Sequence, residues 1–356
     1  MDLYPLARPL LRCIEPETAH RLTIGALKLG LVRGGREPDD PILATRVFDI
    51  AFPNPIGLAA GFDKDAEVPD AMLALGFGFA EAGTVTPQPQ PGNSGKRLFR
   101  LDEDEAVINR LGFNSRGLAL FTEELTERRR AGRSGIVGAN VGKNRDSADA
   151  AADYAAGIEA LAGLADYLVV NLSSPNTPGL RALQARAEME ELFARVVDAR
   201  RRVAPDRARP PPILAKVGPD LGEHELRDIA EVVTKHGIDG LIIGNTTVDR
   251  PPTLRSANRN AQGGLSGRPL MVPSTACLAA MYQYSGGSIP IIGCGGVASG
   301  ADAYTKIKAG ASLVQLYSAM VFQGPGLVRR IKRELAALLR ADGFASVKDA
   351  VGIDYR

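Results

Sequence analysis

Eight short apolar segments alternate with helical patterns along most of this chain, and that alternation constrains the fold more than any other feature. The segments fall at residues 56–60, 79–85, 136–141, 167–172, 213–217, 241–245, 289–293 and 313–317. Each is apolar nearly throughout rather than every second residue. That pattern predicts strands buried on both faces, as in a parallel sheet covered by helices. Helical periodicity is clear at 189–203, 223–236 and 301–309. Eight such repeats fit an α/β fold of the (β/α)8 TIM-barrel type better than an open, doubly wound sheet, which is the structural alternative. Two connections, 88–114 and 248–268, are much longer than ordinary turns and read as functional loops.

A different pattern precedes the barrel. Leu3, Leu6, Leu10 and Ile14 recur at three- and four-residue steps, and after Pro16 so do Ala19, Leu22, Ala26 and Leu29, ended by Gly34-Gly35. A Pro/Asp-rich link at 37–41 separates this two-helix, amphipathic extension (1–36) from the barrel domain (41–356). No run approaches the roughly 20 apolar residues that cross a bilayer, so membrane contact is expected to be peripheral. Cys13, Cys277 and Cys294 are far apart, which speaks against a zinc site or a disulfide framework. The net charge of +2 supplies no field to recruit nucleic acid. The arginine runs at 128–130 and 200–202 read as solvated helix ends favoured by the helix dipole.

A barrel builds its active site at the C-terminal ends of its strands. Here those ends carry Gly61 to Lys64, Thr84, Asn140, Asn171 to Thr177, Lys216, Asn245 to Thr247, Gly295-Gly296 and Tyr317-Ser318. Asp63 is the one acid at this mouth, so paired carboxylates for glycoside hydrolysis are missing. His20, His224 and His236 lie away from the strand ends, and no cluster has metal-ligand spacing. The glycine clusters 263–267 and 293–296 suit a phosphate, because backbone N–H groups without side chains can approach its oxygens. Asn109, Asn171, Asn176 and Asn245 each offer one acceptor and two donors, enough to read a ring that alternates C=O and N–H.

Five ordered motifs then carry a resemblance. Ala60-Gly-Phe-Asp-Lys64, Asn109-Arg-Leu-Gly-Phe-Asn114, Asn171-Leu-Ser-Ser-Pro-Asn-Thr-Pro-Gly-Leu180, Gly264-Leu-Ser-Gly-Arg-Pro269 and Ile292-Gly-Cys-Gly-Gly-Val297 resemble dihydroorotate dehydrogenase. Glu15-Pro-Glu-Thr-Ala-His20 resembles the extension of the class 2, quinone-dependent branch. The resemblance implies oxidation of dihydroorotate to orotate in pyrimidine biosynthesis, with electrons passing through FMN to a membrane quinone. It implies FMN contacts from Ala60, Gly61, Lys64, Thr84, Asn140 and Asn171, and from Lys216, Gly267, Gly296, Tyr317 and Ser318. Substrate contacts would come from Lys64, from Asn109, Arg110, Leu111, Gly112 and Phe113, and from Asn171, Asn176, Asn245 and Thr246. Ser174 matches the catalytic base of class 2, where class 1 carries cysteine. His20, Arg100 and Tyr317 match positions lining the quinone tunnel.

The expected setting is a monomer, peripheral to the cytoplasmic face of the inner membrane if the source is bacterial, touching the bilayer surface through its N-terminal helices and binding no nucleic acid. Gly244 departs from the pattern, since a hydroxyl residue is expected there. Two alternatives stay open on the sequence. One is a tRNA uridine-reducing flavoprotein, against which Ser174 argues, since it would want a cysteine. The other is a non-catalytic phosphate-binding barrel.

Overall fold

The computed structural model describes residues 4–32, 38–177, 179–203 and 210–356. Leu3, Gly34 and Gly35, on which part of the N-terminal pattern rests, lie outside the described residues. Helices α1 (Tyr4–Cys13) and α2 (Pro16–Lys28) come first, followed by a hairpin of β1 (Thr45–Val47) and β2 (Ile50–Phe52). The start of α2 follows from its sequence. The Glu15 carboxylate accepts from the Thr18 N–H at 2.8 Å, and Pro16 needs no partner in the first turn.

The chain then alternates strand and helix. It runs through β3 (Ile56–Leu58), α3 (Pro69–Ala74) and β4 (Phe79–Val85), then an excursion with β5 (Leu98–Leu101) and β6 (Ala106–Asn109). Next come α4 (Leu118–Arg130), β7 (Ile136–Val141), α5 (Ala150–Leu161), β8 (Tyr167–Asn171), α6 (Arg186–Val203) and β9 (Ile213–Val217). After α7 (Glu223–His236) and β10 (Gly240–Ile243), a second excursion carries β11 (Gly264–Gly267). The last part comprises α8 (Met271–Tyr284), β12 (Ile291–Cys294), α9 (Gly300–Lys308), β13 (Ala311–Leu316), α10 (Ser318–Gln323) and α11 (Leu327–Ala341).

Eight strands close a parallel barrel in the order β3-β4-β7-β8-β9-β10-β12-β13. They are the eight apolar segments of the sequence, with ends moved by at most two residues. The barrel interior is filled by Phe79, Tyr167, Val169, Leu214, Ile242, Ile292 and Leu313. Phe52 of the hairpin plugs the bottom, its ring edge-on to Phe79 with centroids 5.2 Å apart. Outward-facing residues of the same strands pack on the helices, which is why the strands are apolar on both faces.

The two long connections are not plain loops. Within them β5, β6 and β11 form an antiparallel sheet in the order β11-β6-β5, with Asn109 opposite both Leu98 and Gly264. Leu101, Ile108, Leu265 and Leu270 give this sheet a small core of its own. Strands of four residues, half glycine in the case of β11, carry no alternation that a sequence reading can detect.

The sheet is also the dock for the N-terminal helices. Arg97 bonds Glu17 at 2.6 Å, holding the Glu17 carboxyl down at about 2. The Arg100 guanidinium donates to Arg12 O at 3.0 Å and to Ile14 O at 2.8 Å, so it grips the joint between α1 and α2. Leu27 enters the main core, whereas Leu22, Leu29 and Leu31 are exposed. Among the described residues no helix is long and apolar enough to cross a membrane. Arg128 pairs with Asp70 and Arg200 with Asp239, so these two guanidinium groups are largely buried rather than solvated, whereas Arg202 pairs with Glu159 at the surface.

Candidate active site

One cavity of about 1010 Å³ opens at the C-terminal ends of the barrel strands and runs outward beneath α1 and α2. Its wall includes Ala60, Gly61, Lys64, Thr84, Asn171, Ser174 and Lys216, and Asn109, Leu111, Gly112, Phe113, Asn176, Asn245 and Thr246. Gly267, Gly296, Tyr317, Ser318, His20 and Arg100 complete the set. Of the residues named from the sequence, two lie outside this wall. Asn140 is fully buried one layer below the mouth, and Arg110 faces a second, smaller pocket shared with Arg145 and Asn176.

The asparagines are held by one another. Asn171 donates to Thr84 Oγ1 at 2.9 Å, and Thr84 donates to Asn140 Oδ1 at 2.6 Å. Tyr154 fixes the backbone of Asn171 from α5 by donating to its carbonyl at 2.6 Å. Asn245 donates to Ser173 Oγ at 2.9 Å, joining the ends of β10 and β8. Ser174 follows on the same loop, 7% exposed, and its Oγ accepts from the Asn176 N–H at 3.3 Å. The hydroxyl of Thr246 is buried with no partner, an orphan that calls for a ligand group in the cavity.

Beneath this layer lies a buried ionic network that sequence reasoning missed. Glu81 is fully buried, 3.6 Å from the Lys216 ammonium, and it accepts from Asn140 at 2.8 Å and Gln315 at 2.7 Å. The signal was present in the sequence. A carboxylate inside an otherwise apolar two-faced strand needs a buried partner, and Lys216 occupies a strand of the same kind. Asp63, by contrast, is turned to the backbone of its own loop. Its carboxyl accepts from the N–H groups of Glu67 and Val68, and burial pushes its pKa up to about 7. Lys64 projects into the cavity, where burial lowers its pKa to about 8.

On the far side of the mouth, Gly295 (φ +104°) and Gly296 (φ +80°) make a turn of successive positive-φ residues, a backbone concavity that suits an anion. A Cβ on Gly296 would lie 2.3 Å from the Met271 nitrogen, so the turn packs against the start of α8 and admits no side chain. Ser318 donates to Ser266 Oγ at 2.8 Å beside this turn. Gly244 is also explained. Its φ is +114°, and a Cβ there would meet Cys294 O at 2.1 Å, so this backbone excludes the hydroxyl residue expected at that position.

The outer arm of the cavity is aromatic. His20 stacks edge-on to Phe62 with centroids 5.3 Å apart, and its Nδ1 lies 3.5 Å from the Tyr317 hydroxyl. Burial, together with the charge of Lys64, holds the His20 pKa down at about 4. Among the described residues no cluster of His, Cys, Asp or Glu could hold a metal ion.

A closed parallel barrel with an anion-suited glycine turn, an amide-lined mouth and a lysine at its floor defines a barrel built to bind a small anionic ligand at its strand ends. Comparison with known proteins carries this further. Residues 42–339 match the family model of dihydroorotate dehydrogenase. A protein of Xanthobacter autotrophicus named dihydroorotate dehydrogenase (quinone) is 62% identical over 100% of both chains. One of the same name from Azorhizobium caulinodans is 62% identical, also over 100% of both. The solved structure of DHODH from Eimeria tenella in complex with ferulenol superposes with a TM-score of 0.92 at 42% identity, covering 96% of each chain. The chain belongs to the dihydroorotate dehydrogenase family, in its quinone-dependent class. This membership removes the tRNA-reducing and non-catalytic alternatives.

Proposed function

We propose that this chain oxidises (S)-dihydroorotate to orotate with Ser174 as the base, holds FMN in the barrel mouth, and passes electrons to a membrane quinone. The observation that carries the reading is a single cavity with two unlike ends. Ser174, Asn109, Asn176, Asn245 and Thr246 line one, while the other runs under α1 and α2 past His20 and Tyr317. The amide-rich end suits a pyrimidine ring, and the apolar arm suits a lipid-soluble quinone.

The residues present fit FMN. The Gly267 and Gly295-Gly296 turns with Ser318 would hold its phosphate, and Ala60, Gly61, Thr84 and Asn171 its ring, with Asn140 steadying Thr84 and Asn171 from below. When bound, FMN supplies the hydride acceptor and the electron relay that side chains lack. Lys216 sets a positive charge at the floor, balanced by Glu81. Lys64 offers its ammonium to the substrate carboxylate. Ser174 takes the proton leaving substrate carbon while its own hydroxyl proton passes on through a water or neighbouring group, and its near-complete burial keeps bulk water from competing. Arg110 would act from the smaller pocket outside the mouth rather than by touching substrate.

The exposed Leu22, Leu29 and Leu31 on and just after α2 suit a bilayer interface, which supports peripheral membrane contact. A monomer on the cytoplasmic face completes the proposed setting. The visible spectrum of the purified protein tests the reading. We expect a yellow protein with one FMN per chain, bleached by dihydroorotate and not by NADH alone. Bleaching by NADH with no response to dihydroorotate would overturn it.

A further inference from the structure

Lys306 is a buried cation with no part in the site described so far. It lies on α9, which descends the outside of the barrel after β12, and it is 0% exposed. Helix side chains lean toward their own N-terminus, so Lys306 reaches back up toward the mouth. Its ammonium donates to Ser274 Oγ at 2.8 Å and Thr275 Oγ1 at 3.0 Å, both in the first two turns of α8. These hydroxyls in turn donate to backbone carbonyls at the start of the helix, Ser274 to Leu270 O at 2.6 Å and Thr275 to Met271 O at 2.6 Å. Ser274 Oγ also lies 3.1 Å from Gly295 O.

The ammonium is thus two hydrogen-bond steps from the glycine turn, on the side away from the cavity. None of the ion pairs among the described residues involves it, although the chain forms many at its surface. The ionisable groups facing it are Cys294 at the end of β12, Cys277 on α8 and Asp302 on its own helix. Burial pushes both thiols up, Cys277 to about 12, so neither supplies negative charge near neutral pH. Asp302 forms no ion pair with it and directs its carboxylate to the Ala298 N–H. A buried ammonium without a paired carboxylate is costly, so such a charge persists where something else balances it.

We propose that Lys306 is the counter-charge for the phosphate of the bound flavin, a positioning residue that acts through Ser274 and the start of α8 on the Gly295-Gly296 turn. The phosphate dianion and the ammonium face the same turn from opposite sides, and the two hydroxyls relay the charge. The inference rests on the proposed binding of FMN. It also explains why Ser274 and Thr275 both turn inward from the first turns of α8.

Riboflavin, which is FMN without its phosphate, separates this role from a packing role. The full-length chain, stripped of flavin, is titrated with FMN and with riboflavin, following flavin fluorescence. Lys306→Met should weaken FMN about ten-fold or more and leave riboflavin affinity within about two-fold, because only FMN carries the phosphate. Lys306→Arg should keep most of the preference for FMN.

A second readout needs no variant. Burial lowers the Lys306 pKa to about 8 in the flavin-free chain. The ammonium is present below that pH and lost above it, so the FMN-to-riboflavin affinity ratio of the wild type should fall between about pH 7 and pH 9. Lys64 titrates in the same range but meets both flavins alike, and so cancels in the ratio. Equal loss of both ligands in Lys306→Met would mark Lys306 as packing only, and so would a pH-independent ratio. Failure of the wild type to bind FMN at all would instead overturn the functional reading.

Discussion

The side-chain amide of Asn176 donates to Asn109 Oδ1 at 3.3 Å, tying the loop that carries Ser174 to the last residue of β6. The backbone N–H of the same Asn176 donates to Ser174 Oγ at 3.3 Å. One residue therefore closes the amide-lined end of the cavity and orients the serine hydroxyl within it. The N–H occupies an acceptor site on Oγ and so leaves the hydroxyl proton free to be passed on.

Ser174→Ala should bind flavin as the wild type does. Its flavin reduction by dihydroorotate should slow by roughly 10² to 10⁴, the usual cost of a lost acid–base group. Ser174→Cys should keep part of the rate. Stopped-flow reduction at saturating dihydroorotate measures both, and a wild-type rate in Ser174→Ala would remove the serine from the base role.

Asn109 and Asn176 should behave as a coupled pair. Each alanine variant should raise the KM for dihydroorotate, and the double variant should cost less than the sum of the two. The expected coupling is about 1 kcal/mol, the scale of one neutral hydrogen bond. Additive losses would mean that the two amides act on the substrate independently.

The barrel was legible because burial on both faces makes each strand uniformly apolar, and that signal survives without any contact information. The mouth followed from it, since strand ends in a barrel share one side, and Thr84, Asn171 and Asn245 do meet there. The roof was not legible. Pairing of β6 with β11 joins Asn109 to Gly264, far apart in the chain, and strands so short have no pattern to announce them. Asn140 ends a strand at the mouth, and the resemblance makes it an FMN contact; its side chain lies one layer below the cavity wall and donates to Glu81. The length of a polar side chain below the mouth decides such a case, and periodicity does not report it.

The binding of orotate should depend on pH through Lys64. Burial sets its pKa at about 8, so the ammonium is present below that pH and lost above it, while the ligand carboxylate stays ionised throughout. Orotate affinity, read from the flavin absorbance change, should therefore weaken as pH rises past about 8. A bound carboxylate favours the ammonium and moves the break somewhat higher. Lys64→Met should bind more weakly and lose this dependence between about pH 7 and pH 9.

His20 should make the fold acid-sensitive. Its pKa is about 4 in the folded chain, against 6.5 when exposed, so between those values the unfolded chain binds the extra proton and the folded chain does not. Stability should fall as pH drops through that window, by at most about 3 kcal/mol. In His20→Gln, thermal melts between about pH 6.5 and pH 4 should lose most of this slope. A slope equal to the wild type would assign the acid response to other groups.

The N-terminal helices give the last test, because two functions overlap on them. Residues of α2 both wall the outer arm of the cavity and expose leucines beside it. Deleting residues 1 to 36 should leave dihydroorotate-driven flavin reduction largely intact if the barrel folds, since Ser174 and the asparagines lie on other elements. Reoxidation by a long-chain quinone and binding to liposomes should both fall sharply. Deletion also removes Leu27 from the core and the Glu17 partner of Arg97, so a full-length variant must separate these effects. Changing Leu22, Leu29 and Leu31 to serine alters exposed side chains, of which Leu22 and Leu31 also line the cavity. That variant should lose liposome binding and reduction of a long-chain quinone held in the bilayer, yet reduce a short water-soluble quinone at the wild-type rate. Equal loss with both quinones would mean these leucines shape the tunnel itself rather than its contact with lipid. A truncated protein that folds, holds flavin and reduces long-chain quinone at the full-length rate would remove the tunnel from the mechanism.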